Sequence, residues 1–600
     1  MKFTKQLALM GLLLSALFSL AACSGSPGDA PGIKDETGED TDPPEPPAQD
    51  AACNAPADAQ MPATPAAGQS RDGLSCGIHI AAPGLDGEIV AFQVFEPTTL
   101  VGGQTYPIIL EGHGFSGSRQ GSDTSNARIL RLRDEGYGVI SIDQAGHGET
   151  GGFIKVMDPD QEGEFLVAIV DWAQANLDWH AVGPDLDAGE DNMVLGAMGS
   201  SYGGGYQHIL QAVDPQKRLD ALVPEITWHD LTYSLFPNTV IKGAWDAFLF
   251  TAGNSAGGGG NFDPYVTNLF VDGFANNNIT QENHDYFRYH GPGYFCDGIP
   301  VDTNGGPGTA PQHRDPVPPM TAAHILYFQG FRDPLFNYLE AFQNYQCFNN
   351  LGGDVRLFSY QSGHNTIEVV VDRNASQPPN NSLISSCGDI NVNDAAVAWF
   401  NRYLKGDENA LNGVLDDHEV CFSLSGTDAV FADRIISGTN GSEFNVAIDA
   451  GALGQQPVVV NPTVDGAIPV PLYTAPAGGD VFAGIPHLEL SITDPSTVGN
   501  SDTTIIFVGV GFNGTRTGAQ WELMDNQLTP IRGTYSAENP ISIPMVGVAE
   551  RLEAGDQLGL LFYGANTNQY PTTGSRANDG HATSVQVTGR VWFPLLGNEG

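Results

Sequence analysis

Gly199-Ser200-Ser201-Tyr202-Gly203 is the stretch of this chain best suited to nucleophilic chemistry. It reads G-x-S-x-G. The apolar run Met193-Val194-Leu195-Gly196-Ala197-Met198 precedes it, and a helix-like run from Gly204 to Ala212 follows. A serine on a sharp strand-to-helix turn has its hydroxyl exposed at the end of a sheet. Glycines flank it because a side chain there would clash. The pentapeptide alone recurs by chance in a chain with 74 glycines. The serine also needs a base to take its proton, and the base needs an acid to orient it. The rest of the chain must supply both.

Where a serine sits on such a turn, the acid and then the base follow later strands. Residues 324–329 read as a strand, and Gly330-Phe331-Arg332-Asp333-Pro334 is its turn, which makes Asp333 the acid. Residues 355–360 read as the last strand, and Gln361-Ser362-Gly363-His364-Asn365 follows, which makes His364 the base. Asp315 is a weaker alternative acid, since it precedes its strand. Acyl transfer builds negative charge on a carbonyl oxygen, which needs two donors aimed at it. One is the N–H of Tyr202, directly after the nucleophile. The other lies in the glycine-rich turn Glu111-Gly112-His113-Gly114-Phe115, at Phe115. His113 is read as a support of that turn rather than as a base. This chemistry requires no metal or organic cofactor.

These residues must be held at one edge of a sheet. From about Ile78 strands alternate with helices, which predicts a mostly parallel, doubly wound α/β sheet. Ligands bind such sheets at the carboxyl ends of the strands, where both glycine turns and Ser201 fall. Phe165, Ala168, Ile169 and Trp172 recur at helical spacing. From residue 228 to about 319 the pattern breaks into a stretch rich in Asn, Gly, Phe and Tyr. So long a run without periodicity reads as a cap inserted over the active edge. Trp228, Trp245 and Phe248 are candidate pocket walls, with core packing as their alternative use.

These motifs resemble the X-Pro dipeptidyl peptidase and cocaine esterase family of α/β-hydrolases. The likeness rests on Gly199-Ser200-Ser201-Tyr202-Gly203, on Asp143 with Gly146-His147-Gly148, and on the helix Ala396-Val397-Ala398-Trp399-Phe400-Asn401-Arg402-Tyr403-Leu404-Lys405-Gly406. A β-rich C-terminal part is shared too. The resemblance implies a serine hydrolase cutting an ester or amide, with Ser201, Asp333 and His364 as its triad. Two positions depart from the family: Ala145 stands where arginine is usual, and Phe115 stands in a loop that often supplies a tyrosine hydroxyl. The Gly-His-Gly-Phe turn is closer to general lipases and esterases.

The N-terminus reads as an export signal. Lys2 and Lys5 precede an apolar run from Leu7 to Leu20, too short for a comfortable membrane span. Leu20-Ala21-Ala22-Cys23 is similar to a bacterial lipobox, which implies cleavage before Cys23 and lipid on it. Residues 1–22 are then the signal, and 23–70 a disordered acidic Pro/Ala-rich tether. Setting Cys23 aside leaves Cys53, Cys76, Cys296, Cys347, Cys387 and Cys421, without C-x-x-C spacing. In an oxidising compartment they allow up to three disulfides, with the pairing open. The net charge of −45 argues against nucleic acid as a partner. The expected location is the cell envelope, at the outer membrane or cell surface.

The catalytic domain is expected over residues 71–415, and an all-β sandwich over 416–600. The resemblance implies a jelly roll for the latter, packed on the hydrolase. Two functions follow. The first is an exported, lipid-anchored serine hydrolase acting on a small-molecule ester, amide or peptide. The alternative is a non-catalytic surface lipoprotein whose sandwich binds carbohydrate or another polymer.

Overall fold

The computed structural model describes residues 61–184, 186, 191–255, 261–276, 278–297, 319–364, 386–425, 428–450, 467–494, 504–564, 570 and 585–597. The signal, the tether to residue 60, Cys23 and Asp315 lie outside them.

Apolar runs without polar alternation form the middle of a ten-stranded mixed sheet. In spatial order its strands are Asp428–Ala432, Val420–Ser425, Val355–Tyr360, His324–Gly330, Leu219–Glu225, Leu195–Ser200, Ile108–Gly112, Gly138–Ile142, Ile89–Phe95 and Ser75–Ala81. The run from Val420–Ser425 to Gly138–Ile142 is parallel, and the strands beyond it pair antiparallel. Parallel strands buried on both faces read as continuous hydrophobic runs, so they were visible in the sequence. The chain goes from Ile108–Gly112 outward to Gly138–Ile142, then returns to the other side for Leu195–Ser200. That reversal opens a crevice at the strand ends, between the turn holding His113 and the turn holding Ser201.

Helices cover the sheet. Glu162–Asn176 buries Phe165, Ile169 and Trp172. Val392–Leu404 is capped by the Asn391 side chain and buries Ala396, Trp399, Phe400 and Leu404 in the core beneath the strands. Gly196 is small because Leu404 and Phe400 lie against it, 2.8 and 3.0 Å from where a Cβ would stand.

The inserted stretch departs from its sequence reading. It is helical: Leu231–Leu235, Gly243–Ser255, Pro264–Asn276, Gln281–Tyr289 and Pro292–Asp297. Gly243–Ser255 carries apolar residues around most of its circumference, Trp245, Phe248, Leu249 and Phe250 among them. It has a core on one side and a cavity on the other, so the one-sided stripe that marks a surface helix is missing.

The expected boundary at residue 415 also shifts. Val420–Ser425 and Asp428–Ala432 extend the ten-stranded sheet and belong with it rather than with the sandwich. Their alternation looks the same whichever sheet they join. Beyond them lie a four-stranded sheet (Ser442–Ala450, Val585–Phe593, His487–Thr493, Ile541–Pro544) and a five-stranded one built on Ile505–Asn513 and Gln557–Tyr563. Leu488, Leu490 and Ile492 of the first share a core with Val508, Val510 and Leu560 of the second. The residues between, Glu489 and Ser491, are only partly buried.

Residues 55–600 form one compact unit. Two disulfides join Cys296 to Cys347 and Cys387 to Cys421. Cys76 is disulfide-bonded as well. Among the described residues no helix is long and apolar enough to cross a membrane.

Candidate active site

The turn at Ser201 is fixed by contact between backbones. Leu195–Ser200 pairs in parallel with Ile108–Gly112, so that Gly199 lies opposite Gly112. A Cβ on Gly203 would stand 2.1 Å from the Gly112 carbonyl oxygen, and one on Gly199 would stand 2.5 Å from it. No other residue fits at either position. Ser201 adopts φ 60° and ψ −121°, a conformation costly for a non-glycine residue. Its N–H donates to the Glu225 carbonyl at 2.9 Å, and its carbonyl accepts from Thr227 Oγ1 at 3.0 Å. Helix Tyr202–Val213 begins at the next residue. As the first helical residue, Tyr202 has no carbonyl one turn behind it to take its N–H.

Asp333 follows strand His324–Gly330 and is fully buried. Its Oδ1 accepts from the N–H groups of Leu335 and Phe336, each at 2.9 Å. Its Oδ2 accepts from His364 Nδ1 at 2.6 Å and from the His364 N–H at 3.2 Å. With Nδ1 donating, the other ring nitrogen of a neutral His364 is an acceptor. That atom, Nε2, has no hydrogen-bond partner among the described residues. The His364 ring meets Phe336 edge-on at 5.3 Å and Trp245 at 5.9 Å. Phe336 lines the same cavity as Ser201.

The glycine turn after Ile108–Gly112 shows why His113 is not a base. Its Nδ1 donates to the Gly114 carbonyl at 2.8 Å, and its Nε2 accepts from the Gln144 N–H at 3.1 Å. His147 is used in the same way: Nδ1 donates to the Ala145 carbonyl at 3.0 Å and Nε2 accepts from the Ser116 N–H at 3.2 Å. Burial lowers His113 to about 4 and, with His113 beside it, His147 to about 3. Both stay neutral and hold the loop on either side of Phe115. Asp143 braces the neighbouring turn, accepting from the N–H groups of Arg119 at 2.6 Å and Glu149 at 2.9 Å.

Over the crevice lies a largely apolar cavity. Its wall includes Ser201, Phe115, Trp228, Phe250, Phe262 and Phe336. Of the three aromatic residues expected as pocket walls, Trp228 lines this cavity. Trp245 packs on His364 instead, and Phe248 packs on Trp245 at 5.8 Å.

Other contributors carry no motif. The Tyr202 hydroxyl donates to Glu162 Oε1 at 2.8 Å and accepts from the Met157 N–H at 3.0 Å. This holds Met157 and, beside it, the cavity-lining Val156, both at positive φ. Burial and the neighbouring Asp158 push Glu162 up to about 8. Lys242, buried in the cap, donates through Nζ to the carbonyls of Pro334 at 2.8 Å and Leu335 at 3.0 Å, just past the acid. Burial lowers it to about 8. Gln527, from the C-terminal β region, donates through Nε2 to the carbonyls of Phe331 at 2.8 Å and Asp333 at 3.0 Å. Among the described residues no group of His, Cys, Asp and Glu has the arrangement of a metal site.

Comparison with known proteins adds to this geometry. Residues 86–256 match the family model for X-Pro dipeptidyl-peptidase (S15 family). That span holds the Phe115 turn and Ser201 but ends before Asp333 and His364. A CocE/NonD family hydrolase from Staphylococcus aureus superimposes with a TM-score of 0.52 at 12% identity, over 88% of this chain and 94% of that one. An aminopeptidase from a marine sediment archaeon, Thaumarchaeota archaeon, gives 0.51 at 12% identity, over 94% and 100% of the two chains. At such identity the likeness speaks for the fold: a CocE/NonD hydrolase-like fold with a mixed sheet and further β-sheet regions. An uncharacterized 31.7 kDa protein of Escherichia coli, from the traX-finO intergenic region, is 26% identical over 145 residues. That match covers 24% of this chain and 44% of the relative, less than half of its length.

Proposed function

We propose that this chain is a serine hydrolase that cleaves an ester or amide bond through an acyl-enzyme, in the manner of X-Pro dipeptidyl peptidases and acyl esterases. The observation that carries the reading is the 2.6 Å hydrogen bond from His364 Nδ1 to the buried Asp333, with Nε2 left without a partner. A histidine held in this tautomer, packed on Phe336 of the cavity wall that also holds a serine on a strained turn, is equipped as a general base.

In this mechanism Ser201 Oγ attacks the substrate carbonyl as its proton passes to His364 Nε2. Asp333 holds the ring and stabilises the imidazolium that forms. The N–H groups of Tyr202 and Phe115 donate to the oxyanion. The tetrahedral intermediate collapses as His364 returns the proton to the leaving oxygen or nitrogen. Water then attacks the acyl-enzyme by the same route, releasing the acid and restoring the serine.

The N-terminal sequence supports export with a lipid on Cys23, which anchors the hydrolase in the cell envelope. The two packed antiparallel sheets support a jelly-roll reading of the C-terminal region, with a bracing role through Gln527. The net charge of −45 disfavours nucleic acid as a partner.

A fluorophosphonate probe on the purified protein tests the central claim. Labelling of wild type that vanishes in Ser201→Ala is the expected result. A prolyl dipeptide anilide run beside a short-chain nitrophenyl ester then assigns peptidase or esterase. A folded wild type that takes no label returns the reading to a non-catalytic binding lipoprotein. Labelled palmitate incorporated in cells by wild type but not by Cys23→Ser tests the anchor.

A further inference from the structure

One carboxyl in the cavity is not used by this mechanism. Asp246, on cap helix Gly243–Ser255, is 4% exposed and lines the cavity beside Ser201. It also lines a smaller space with Ile241, Phe270 and Phe274, so it stands where the two meet. Its Oδ2 has no hydrogen-bond partner among the described residues. A buried polar group left unpaired is costly. Such a group in a native structure calls for an explanation, and a polar partner bound there is one.

We propose that Asp246 reads the far end of the substrate's acyl arm, donating a hydrogen bond to a single neutral acceptor there, a carbonyl or a hydroxyl. The preferred substrate is then a bulky, largely apolar ester with one uncharged polar group distal to the scissile carbonyl. This deepens the serine hydrolase reading and rests on it.

Two arguments select a neutral acceptor over a cationic amine. The first is a count of partners. An ammonium brings three N–H donors. The wall around Asp246 includes Phe236, Leu249, Phe250, Leu269 and Phe270, which offer no side-chain acceptor, and the Tyr570 hydroxyl offers one at most, too few for the second and third. A carbonyl or hydroxyl is satisfied by one partner. The second is the state of the acid. Burial in this apolar surround holds the Asp246 carboxyl protonated far above its ordinary range, against the opposing pull of Lys242. A protonated carboxyl is a donor. The other ionisable group that acts on it is Tyr570, a phenol from the β region that stays neutral and whose hydroxyl also has no hydrogen-bond partner among the described residues.

The test is a set of four nitrophenyl esters of one phenylalkanoic acid, with the ring unsubstituted or carrying a para acetyl, hydroxymethyl or aminomethyl group. In wild type the acetyl and hydroxymethyl esters should exceed the unsubstituted one in kcat/KM by about five- to tenfold, the range of one net hydrogen bond. The aminomethyl ester should fall below it. Asp246→Leu should erase the advantage. Asp246→Asn, which keeps a donor, should restore it for the acetyl ester. Fluorophosphonate labelling of Ser201 in each variant reports that the site has folded. The proposal is overturned if the four esters rank alike in wild type and Asp246→Leu. It is also overturned if the aminomethyl ester is best in wild type and loses that rank in Asp246→Asn, which would make Asp246 an ion-pair partner. Labelling without hydrolysis of any ester removes the acyl-pocket assignment but leaves Ser201 as nucleophile. A wild type neither labelled nor active removes the hydrolase reading as well.

Discussion

On the floor of the crevice a Cβ at Gly203 would stand 2.1 Å from the Gly112 oxygen. In the roof, Phe250 has rings for neighbours, Phe270 at 4.3 Å and Phe262 at 5.8 Å. The floor joins backbone to backbone and fixes its acid through directional hydrogen bonds, as Asp333 makes with Leu335, Phe336 and His364. The roof joins side chain to side chain through non-directional apolar contact. Directional contacts fix Ser201 and His364, the proposed reacting residues, and leave little room for substitution. Apolar contacts set the size and polarity of the cavity, and they can repack. On the proposed function, geometry is therefore concentrated in the floor and selectivity in the roof.

The sharpest way to break that division is to remove the reacting groups. Ser201→Ala and His364→Gln should each lower kcat/KM by about 10³-fold or more, with unchanged near-UV circular dichroism. Substantial residual turnover in either would mean that the floor does not hold the chemistry. Next comes Gly203→Ala, which forces a methyl into a backbone carbonyl. It should cost about 3 kcal/mol or more in urea unfolding. A fully stable Gly203→Ala would show that the elbow is looser than its contacts imply.

The floor also predicts acid sensitivity. His113 and His147 titrate near 6.5 when unfolded and near 4 and 3 when folded. Between those values the unfolded chain binds more protons, so stability falls as the pH drops below 6.5. Each group contributes a slope of up to about 1.4 kcal/mol per pH unit. Urea unfolding at pH 7 and pH 5 should show a smaller loss for His147→Asn than for wild type. Equal losses would mean that the ring is not held neutral.

Gln527→Ala tests whether the β region belongs to the floor. It removes two donors from the Asp333 turn and should lower kcat by about tenfold with little change in KM. A change confined to KM would place Gln527 with the roof instead. Smallest of all, Phe250→Ala should shift KM for bulky esters by a few-fold and leave kcat for a small acetyl ester within about twofold. Loss of kcat for both esters would mean that roof packing also sets the geometry.

Much of the floor was legible because its signals are local. Strands buried on both faces leave uninterrupted apolar runs, and residues that follow such runs, Asp333 and His364, fall at one sheet edge. The cap helices were not legible, since Gly243–Ser255 is apolar toward both core and cavity. Residues 420–432 were placed with the wrong sheet because a short strand carries no mark of its neighbour. Asp246 was one of 70 acidic residues, and only an enclosing wall singles it out. Gln527 is 194 positions from Asp333, and no spacing rule spans that distance.

The sequence by itself determined what is encoded over a few residues: the glycines that allow the Ser201 turn, the strands that end at Asp333 and His364, and the asparagine that caps the helix beneath them. Those depend on sterics, hydrophobic periodicity and hydrogen bonds between near neighbours. Tertiary structure alone decided that His364 Nδ1 meets Asp333, that His113 and His147 are spent on backbone partners, that Cys296 pairs with Cys347, and that a lone acid stands in an apolar roof. Each of these is a contact between distant segments. Its partner is chosen only when the whole core packs, because burial, not sequence spacing, then sets which polar groups must find one another.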